Sequence, residues 1–243
     1  MTASGSRPGS TPFITQNTEN HAAGQSSPTV RRSFARLRRS LSANGYTERP
    51  KVASLNGMLR PDYPITANRV ILRPFTPDDL DALNSFQSRA DVARYLYWGP
   101  RSRAESAAAL AKRVHSSTLS QDGQILAVAV ELAATGQLIG DLNLEYLSSE
   151  HRQGEIGFVF HPDHHGKGLA LEAATELLRL GFEELGLHRI IGRCDGRNTA
   201  SMALMERLGM RKEAHLRENE IVKGVWTDEL VYAMLEDEWK ATR

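Results

Sequence analysis

The stretch from Gly154 to Ala174, GEIGFVFHPDHHGKGLALEAA, constrains the fold more than any other part of the chain. Its apolar beginning predicts a β-strand, and its polar middle predicts a turn. The glycines in Gly166-Lys167-Gly168 then lead into a segment whose apolar residues have helical spacing. A helix that begins there presents unpaired backbone N–H groups and the positive end of its dipole. The stretch therefore predicts a strand, a glycine loop that binds a phosphate, and a helix.

Spacing excludes two common phosphate-binding loops. A P-loop requires a glycine five residues before Gly166-Lys167, where this chain has His161. A dinucleotide-binding fingerprint requires a third glycine at the position of Leu171. The remaining interpretation is a loop whose backbone approaches a pyrophosphate closely because its residues are small. It is formed by Gly166, Lys167, Gly168, Leu169 and Ala170.

The same loop carries a family resemblance. The run HGKGLA, from His165 to Ala170, resembles the Q/R-x-x-G-x-G/A signature of the Gcn5-related N-acetyltransferases (GNAT), with His165 in place of Gln or Arg. The longer run GKGLALEA is similar to the GKGYATEA form of the branch that acetylates ribosomal-protein N-termini. The resemblance covers roughly residues 65 to 239. It implies the α/β (α+β) GNAT fold, in which a mixed, mainly antiparallel sheet of about seven strands has a splayed central parallel pair and flanking helices.

The chain predicts one domain with an N-terminal extension. Residues 1–57 contain eight Lys and Arg residues but two Glu residues, and few large apolar side chains, so they predict a disordered basic tail. A targeting peptide, an arm for RNA or anionic lipid, and an over-extended gene start before Met58 stay open as alternatives. Residues 58–243 are predicted to form the acetyltransferase domain. No apolar run reaches the roughly 20 residues that span a bilayer, so we expect a cytoplasmic protein.

The order of predicted elements agrees with this domain. A strand that ends at Pro74 precedes a helix that begins at Thr76-Pro77. A second helix, RAESAAALAKRV, precedes the strands QILAVAVEL, QLIGDLNLEYL and GEIGFVF. After the loop helix come the strand HRIIGRC, a helix capped by Asn198 and two closing strands. The resemblance places a G-x-W-x-D turn between those strands, at Gly224, Trp226 and Asp228.

The resemblance also implies which residues bind acetyl-CoA as the acetyl donor. The pyrophosphate would meet the loop residues named above. The pantetheine arm would hydrogen-bond to the backbone of the strand before the loop, near Phe158, Val159 and Phe160. Asn198 would contact the same arm, and Ser201 would lie near the sulfur. Cys194 is predicted to be a buried residue of a strand, which favours direct attack over a covalent intermediate.

Acyl transfer to an amine requires that the ammonium lose a proton, so a carboxylate near the splayed strands is expected. Glu220 is the first candidate for general base, because in the resembled branch a glutamate and a serine at these two motif positions act as base and acid. Ser201 is the corresponding acid, although a capping serine has the same sequence pattern. Glu155 is the rival base, Glu145 is a third candidate, and a surface charge is the alternative for Glu220.

The acceptor is less constrained than the donor. Tyr95, Tyr97 and Trp98 either line the acceptor pocket or pack locally. A protein N-terminal amine is the first candidate acceptor; a small amine such as an antibiotic or polyamine, and a non-catalytic CoA-binding module, are alternatives. A homodimer stays open, and nucleic-acid contact by the basic tail is not favoured. His161, His164 and His165 are interpreted as polar turn residues, with no metal site expected.

Overall fold

An eight-stranded mixed sheet organises residues 58–242, the part of the chain that the computed structural model describes. Its strand order is β1-β2-β3-β4-β5-β6-β8-β7, and the single parallel pair is β5–β6. The prediction of a mainly antiparallel α/β sheet is confirmed, with eight strands instead of about seven because a short edge strand precedes β2. The strands are β1 (Ile65–Thr66), β2 (Val70–Arg73), β3 (Ile125–Leu132), β4 (Gln137–Ser148), β5 (Gln153–Phe160), β6 (Arg189–Asp195), β7 (Arg211–Val222) and β8 (Val225–Leu235).

The helices begin where the sequence provides caps. A 3-10 turn at Pro77–Asp79 leads into the first helix, and the Asp79 carboxylate accepts a hydrogen bond from the N–H of Thr76 at 2.7 Å. The third helix begins after Ser102, whose hydroxyl accepts from the N–H of Glu105 at 3.3 Å. The helices are α1 (Leu80–Gln87), α2 (Ala90–Ala93), α3 (Arg103–Val114), α4 (Leu169–Arg179), α5 (Thr199–Arg207) and α6 (Glu236–Ala241).

The sheet packs helices on both faces. One face buries α4 through the side chains that helical spacing predicted, including Leu177 and Leu178, which are fully buried. Each such leucine contributes about 2 kcal/mol of burial free energy. The other face packs against α1 and α3 around Phe86 and Leu110. Because side chains alternate along a strand, β4 and β5 direct every second residue toward α1 and α3. Val159 of β5 packs in that second cluster.

Strands β5 and β6 pair only where both begin. Their register contains three pairs, Gln153↔Arg189, Gly154↔Ile190 and Glu155↔Ile191. Beyond that point β5 stays paired with β4 as far as Phe160, and β6 stays paired with β8 as far as Asp195. Each strand follows its other neighbour, so a gap opens between them. The predicted splayed parallel pair is confirmed.

The closing hairpin corrects one expectation. The turn between β7 and β8 consists of Lys223 and Gly224, and Gly224 has a φ of 81°. Trp226 and Asp228 lie in β8 and not in the turn, because strand pairing extends to Val222↔Val225.

Residues 1–57 lie outside the described part of the chain, so the domain boundary and the interpretations of the basic tail stay predictions. Within residues 58–242, no helix is long and apolar enough to cross a membrane.

Candidate active site

The glycine loop has a backbone conformation that its sequence requires. After β5 ends, a 3-10 turn at Pro162–His164 leads to Gly166 and Gly168, whose φ values are 72° and 78°. These angles lie in the left-handed region, which glycine enters without the strain that a Cβ atom creates. Gly168 is the N-cap of α4, and no side chain caps that helix. The helix therefore begins with its first N–H groups open.

The loop presents consecutive unpaired donors. The N–H of His165 donates to the carbonyl of Pro162 at 3.0 Å, and the N–H of Glu172 donates to the carbonyl of Gly168 at 3.1 Å. Between them, the N–H groups of Gly166, Lys167 and Gly168 meet no protein acceptor in residues 58–242. Together with the first turn of α4, which starts at Leu169 and Ala170, they form a concave set of donors that fits a pyrophosphate.

Side chains hold the loop in place. The ring Nε2 of His165 lies 3.0 Å from the carbonyl oxygen of Phe160, and the Lys167 ammonium donates to the carbonyl of Asp163 at 2.7 Å. His165 therefore faces the end of β5. Its ring braces the loop where the resembled signature has Gln or Arg.

A cavity of about 610 Å³ adjoins the loop, and three cationic side chains line it. They are Arg69, Lys167 and Arg207. Arg69 donates to the Lys167 carbonyl at 2.9 Å and to the Glu172 carboxylate at 3.0 Å. Glu172 and Glu176 line the same cavity, so its lining has an excess of one positive charge. That charge and the open helix N-terminus favour an anion there.

On the face toward α1 and α3, an ion pair crosses the beginning of the gap. Glu155 of β5 is fully buried, and its Oε2 lies 2.6 Å from Nη2 of Arg193 on β6. The Nε of Arg193 lies 3.1 Å from both oxygens of the same carboxylate. Burial raises the pKa of Glu155, and Arg193 opposes that shift. Glu155 faces this interior and not solvent.

Glu145 lies directly across from Glu155 in the β4–β5 register. Its side chain is 2% exposed, and its Oε2 has no hydrogen-bond partner within residues 58–242. Burial, and then repulsion from Glu155, raise the pKa of Glu145 to about 7, although Arg193 opposes the shift. This carboxyl group therefore changes protonation near neutral pH.

Glu220 lies farther along the same face, on β7. It is half-buried and accepts a short hydrogen bond from the hydroxyl of Tyr97. Burial and this contact raise the pKa of Tyr97, so its hydroxyl stays a donor. Next to Glu220, Glu229 of β8 is 3.7 Å from Arg193 and accepts from the Asn219 amide at 3.0 Å. Burial raises the pKa of Glu229, and the charge of Glu220 adds to that shift.

Asn198 and Ser201 lie just beyond the end of β6. The Asn198 side-chain oxygen accepts from the N–H of Ser201 at 3.1 Å, which confirms the predicted cap. The Ser201 hydroxyl makes no hydrogen bond within residues 58–242, so none joins it to Glu220. The structure thus brings Glu155, Glu145 and Glu220 to one face and places Ser201 at the helix beyond the gap.

The predicted aromatic segment lies beside this face. The Arg197 guanidinium is 6.0 Å from the ring centroid of Tyr95, and the Arg101 guanidinium is 4.2 Å from that of Trp98. Cys194 is 2% exposed, and burial raises the pKa of its thiol to about 12, so the prediction of a buried strand cysteine is confirmed. Within residues 58–242, no three His, Cys, Asp or Glu side chains form a metal-binding group.

Sequence reasoning missed Arg193, Glu229 and Arg69. An arginine between the apolar residues of HRIIGRC is a signal, because a charged residue in a buried strand requires a partner. Arg69 gives no such signal, since its contact with the loop joins residues about a hundred positions apart.

Strands β5 and β6 form an open parallel pair, with an anion-binding loop at one end and buried carboxylates at the other. This arrangement fits transferases that take an acyl group from a thioester. Residues 69–211 match the acetyltransferase (GNAT) domain family. The chain is 35% identical to the uncharacterized N-acetyltransferase YnaD of Bacillus subtilis (strain 168) over 176 residues, which are 72% of this chain and 98% of YnaD.

Two solved structures agree with this assignment. The GNAT acetyltransferase of Bacillus anthracis is 33% identical, with a TM-score of 0.65 over 72% of this chain and 99% of its own. The spermidine N-acetyltransferase of Vibrio cholerae, solved with CoA and spermine, is 25% identical, with a TM-score of 0.61 over 71% and 98%. The chain belongs to the GNAT family. It is an acyltransferase that acetylates amino groups and uses acetyl-CoA as the acetyl donor.

Proposed function

We propose that this protein transfers the acetyl group of acetyl-CoA to a primary amine by direct attack in a ternary complex. The observation that carries the proposal is the separation of β5 and β6 after Glu155↔Ile191, with the donor-rich loop at the far end of β5. The five residue-to-residue steps from Glu155 to Phe160 span roughly 17 Å at the usual rise of a strand. An extended pantetheine arm fits that length.

The donor-binding roles follow from this geometry. The N–H groups from Gly166 to Ala170 take the pyrophosphate, while His165 and Lys167 brace the loop. The backbone of Phe158, Val159 and Phe160, which faces no partner on the β6 side, pairs with the pantetheine arm. The Asn198 amide contacts the same arm from the other wall of the gap.

Glu220 is proposed as the general base. An alkyl ammonium has to lose one proton before its nitrogen can attack, and that requires a carboxylate with a free oxygen. Glu155 has both oxygens bound by Arg193 and is fully buried. Glu220 is half-buried, and Tyr97 occupies one of its oxygens. Glu155 then serves with Arg193 as a fixed charge pair at the beginning of the gap.

Bond changes in the transfer are balanced by three proton movements. The neutral nitrogen forms the new C–N bond, and a backbone N–H near Val159 stabilises the oxyanion. As the C–S bond breaks, the Ser201 hydroxyl gives its proton to the CoA thiolate and regains one from solvent. The nitrogen loses two protons through Glu220 to solvent, one before it attacks and one as the neutral amide forms. Cys194 takes no part, because it is buried and protonated.

A protein N-terminal amine is our first acceptor, on the similarity of the loop sequence to the ribosomal-protein branch. A small amine is the second, because the Vibrio cholerae neighbour is a spermidine N-acetyltransferase. Tyr95, Tyr97 and Trp98 are proposed to line the path to the amine. A homodimer, a cytoplasmic location and nucleic-acid contact by the tail stay predictions.

A panel of acceptors tests the proposal. Thiol release would be measured with peptides that have free N-termini, the same peptides with blocked N-termini, and small amines. We expect turnover with free amines and none with blocked ones. Tight acetyl-CoA binding without turnover on any amine would contradict the enzymatic proposal and favour a CoA-binding module.

A further inference from the structure

A second cavity, of about 560 Å³, lies between α3 and the strands β3 and β4. Its wall includes Arg101 and Arg113 on one side and Asp141 and Asn143 of β4 on the other. Asn143 is the register partner of Gly157 on β5, and Gly157 lies beside the gap. The cavity is therefore one strand away from the place where the thioester is proposed to lie.

Arg101 is the unusual member of this wall. It is half-buried, it stacks on Trp98, and it donates to the Gln87 side-chain oxygen at 2.9 Å. It forms no ion pair within residues 58–242. Burial, and then the neighbouring charge of Arg113, lower the pKa of Arg101 to about 10. A guanidinium in this setting has spare donors and an unmet need for negative charge.

Some polar atoms behind the cavity wall also lack partners, but protein encloses them. Gln87 is fully buried, and its Nε2 donor makes no hydrogen bond within the described residues. Across the cavity, Asp141 is 2% exposed and binds Arg113 at 2.6 Å through Oδ2, but its Oδ1 has no partner there. The Oδ1 of Asn143 has none either. Because these atoms have no exposed surface, a ligand in the cavity meets the Arg101 guanidinium and not them.

The formal charge decides the sign of that ligand. Arg101, Lys112 and Arg113 give three positive charges, and Glu105 and Asp141 give two negative charges, so the lining has an excess of one positive charge. Arg113 is neutralised by Asp141. Glu105 is exposed and held by Ser102 in the cap of α3. The uncompensated charge inside the cavity is thus the Arg101 guanidinium.

We propose that this cavity binds a carboxylate carried by the acceptor, with the Arg101 guanidinium as its donor. The acceptor is then an amine that also bears a carboxylate. The carboxylate belongs either to a free amino acid or to an acidic side chain near a peptide N-terminus. A polyamine, which is cationic along its length, is disfavoured by the same guanidinium. This inference rests on the proposed function for its reacting amine.

Matched acceptors test the inference. Acetylation kcat/KM would be compared for 4-aminobutyrate, for n-butylamine, which lacks the carboxylate, and for spermidine. Free-amine peptides with glutamate or glutamine as the second residue separate the two sources of carboxylate. We expect at least a tenfold preference for the carboxylate-bearing member of one pair or the other. Equal rates within both pairs, or a preference for spermidine, would overturn the proposal.

Substitution assigns the preference to Arg101. In Arg101→Gln we expect kcat/KM for the carboxylate-bearing acceptor to fall ten- to a hundredfold, with n-butylamine and the KM for acetyl-CoA unchanged. Arg103→Gln is the matched control, because Arg103 is exposed and pairs with Asp81 at the surface. An equal loss with all acceptors would show a structural role and contradict the proposal.

Binding separates failure of this inference from failure of the proposed function. Calorimetry of the CoA-saturated protein with 4-aminobutyrate and with each peptide would detect carboxylate binding without turnover. Binding that requires both the carboxylate and Arg101 supports the subsite even if no acetylation follows. Acetylation of amines with no dependence on the carboxylate supports the transferase and removes the subsite.

Discussion

The glycine loop and the carboxylate face of the sheet lie at opposite ends of the same gap, and they are built in opposite ways. The loop presents backbone N–H groups in one continuous stretch, from Gly166 to Ala170. The carboxylate face collects side chains from β4, β5, β6, β7 and β8 and from the segment around Tyr97. The acetyl donor is the same molecule in every reaction, so a local stretch of backbone can bind it. A particular acceptor amine requires side chains from distant positions of the chain.

The largest effect is expected on the side-chain region. Glu220→Gln keeps an oxygen for the Tyr97 hydroxyl but cannot take a proton, so kcat should fall about 1000-fold at pH 7. The loss should shrink as pH rises toward the pKa of the acceptor amine, because the neutral amine then forms without help. Initial rates across pH would measure this. Glu184→Gln, at a carboxylate paired with Arg179, is the control, and a pH-independent loss would argue against a base.

A change that disturbs the backbone of the glycine loop should weaken acetyl-CoA binding. Gly168→Val places a branched side chain at a φ of 78°, with the new Cβ 3.3 Å from the Arg69 guanidinium. We expect about a 100-fold loss of acetyl-CoA affinity by calorimetry, from strain of 1–3 kcal/mol and a displaced donor set. Gly136→Val is matched, since Gly136 has a φ of 68° in the β3–β4 hairpin with open space around it. If both variants lose affinity equally, the loop is not the reason.

The buried Glu145 allows a test of stability without substrate. Its folded pKa of about 7 lies above the ordinary value, so its protonated form stabilises the fold. That stabilisation is lost as pH rises from about 4.5 to about 7. Glu145→Gln should therefore unfold at a higher urea concentration than the wild type at pH 8, with a gain of roughly 1 to 3 kcal/mol, and show little gain at pH 5. An equal gain at both pH values would mean that ionisation is not the cause.

The smallest effect is expected for Ser201, which lies in the helix beyond the gap between β5 and β6. Ser201→Ala keeps the backbone N–H that binds Asn198, so the start of α5 survives and acetyl-CoA affinity stays unchanged. We expect about a tenfold lower kcat, because the departing thiolate lacks its proton donor. The difference should vanish with an acetyl thioester of a more acidic thiol, which leaves without protonation. If it persists there, Ser201 positions the donor and does not protonate it.

Sequence reasoning predicted the local region better than the assembled one. The strand, turn and helix around Gly166 and Gly168 are encoded by consecutive residues, and their conformation follows from those residues alone. Glu155 was identified but not its partner, because the contact with Arg193 depends on which two strands become parallel neighbours. The link from Tyr97 to Glu220 joins residues 123 positions apart, so no spacing rule could have found it.

The same limit explains why the number of strands and the turn between β7 and β8 were not predicted correctly from the sequence. The edge strand Ile65–Thr66 is only two residues long, which gives too little alternation to detect. The closing turn is narrower than the resembled motif because β7 and β8 stay paired up to Val222. Arg101 has no sequence signature of a binding residue. What marks it is the combination of burial, a stacked tryptophan and a missing ion pair, all of which are tertiary.

Cys194 on β6 can be used to measure local opening of the sheet. Cys194 is the only cysteine of the chain, and it is buried beside the gap with its thiol protonated. A thiol-reactive dye used to follow CoA release will therefore react with the released CoA thiol and hardly with the enzyme. Over longer times, the rate at which Cys194 is labelled measures how often the sheet opens. Acetyl-CoA that closes the gap between β5 and β6 should lower that rate.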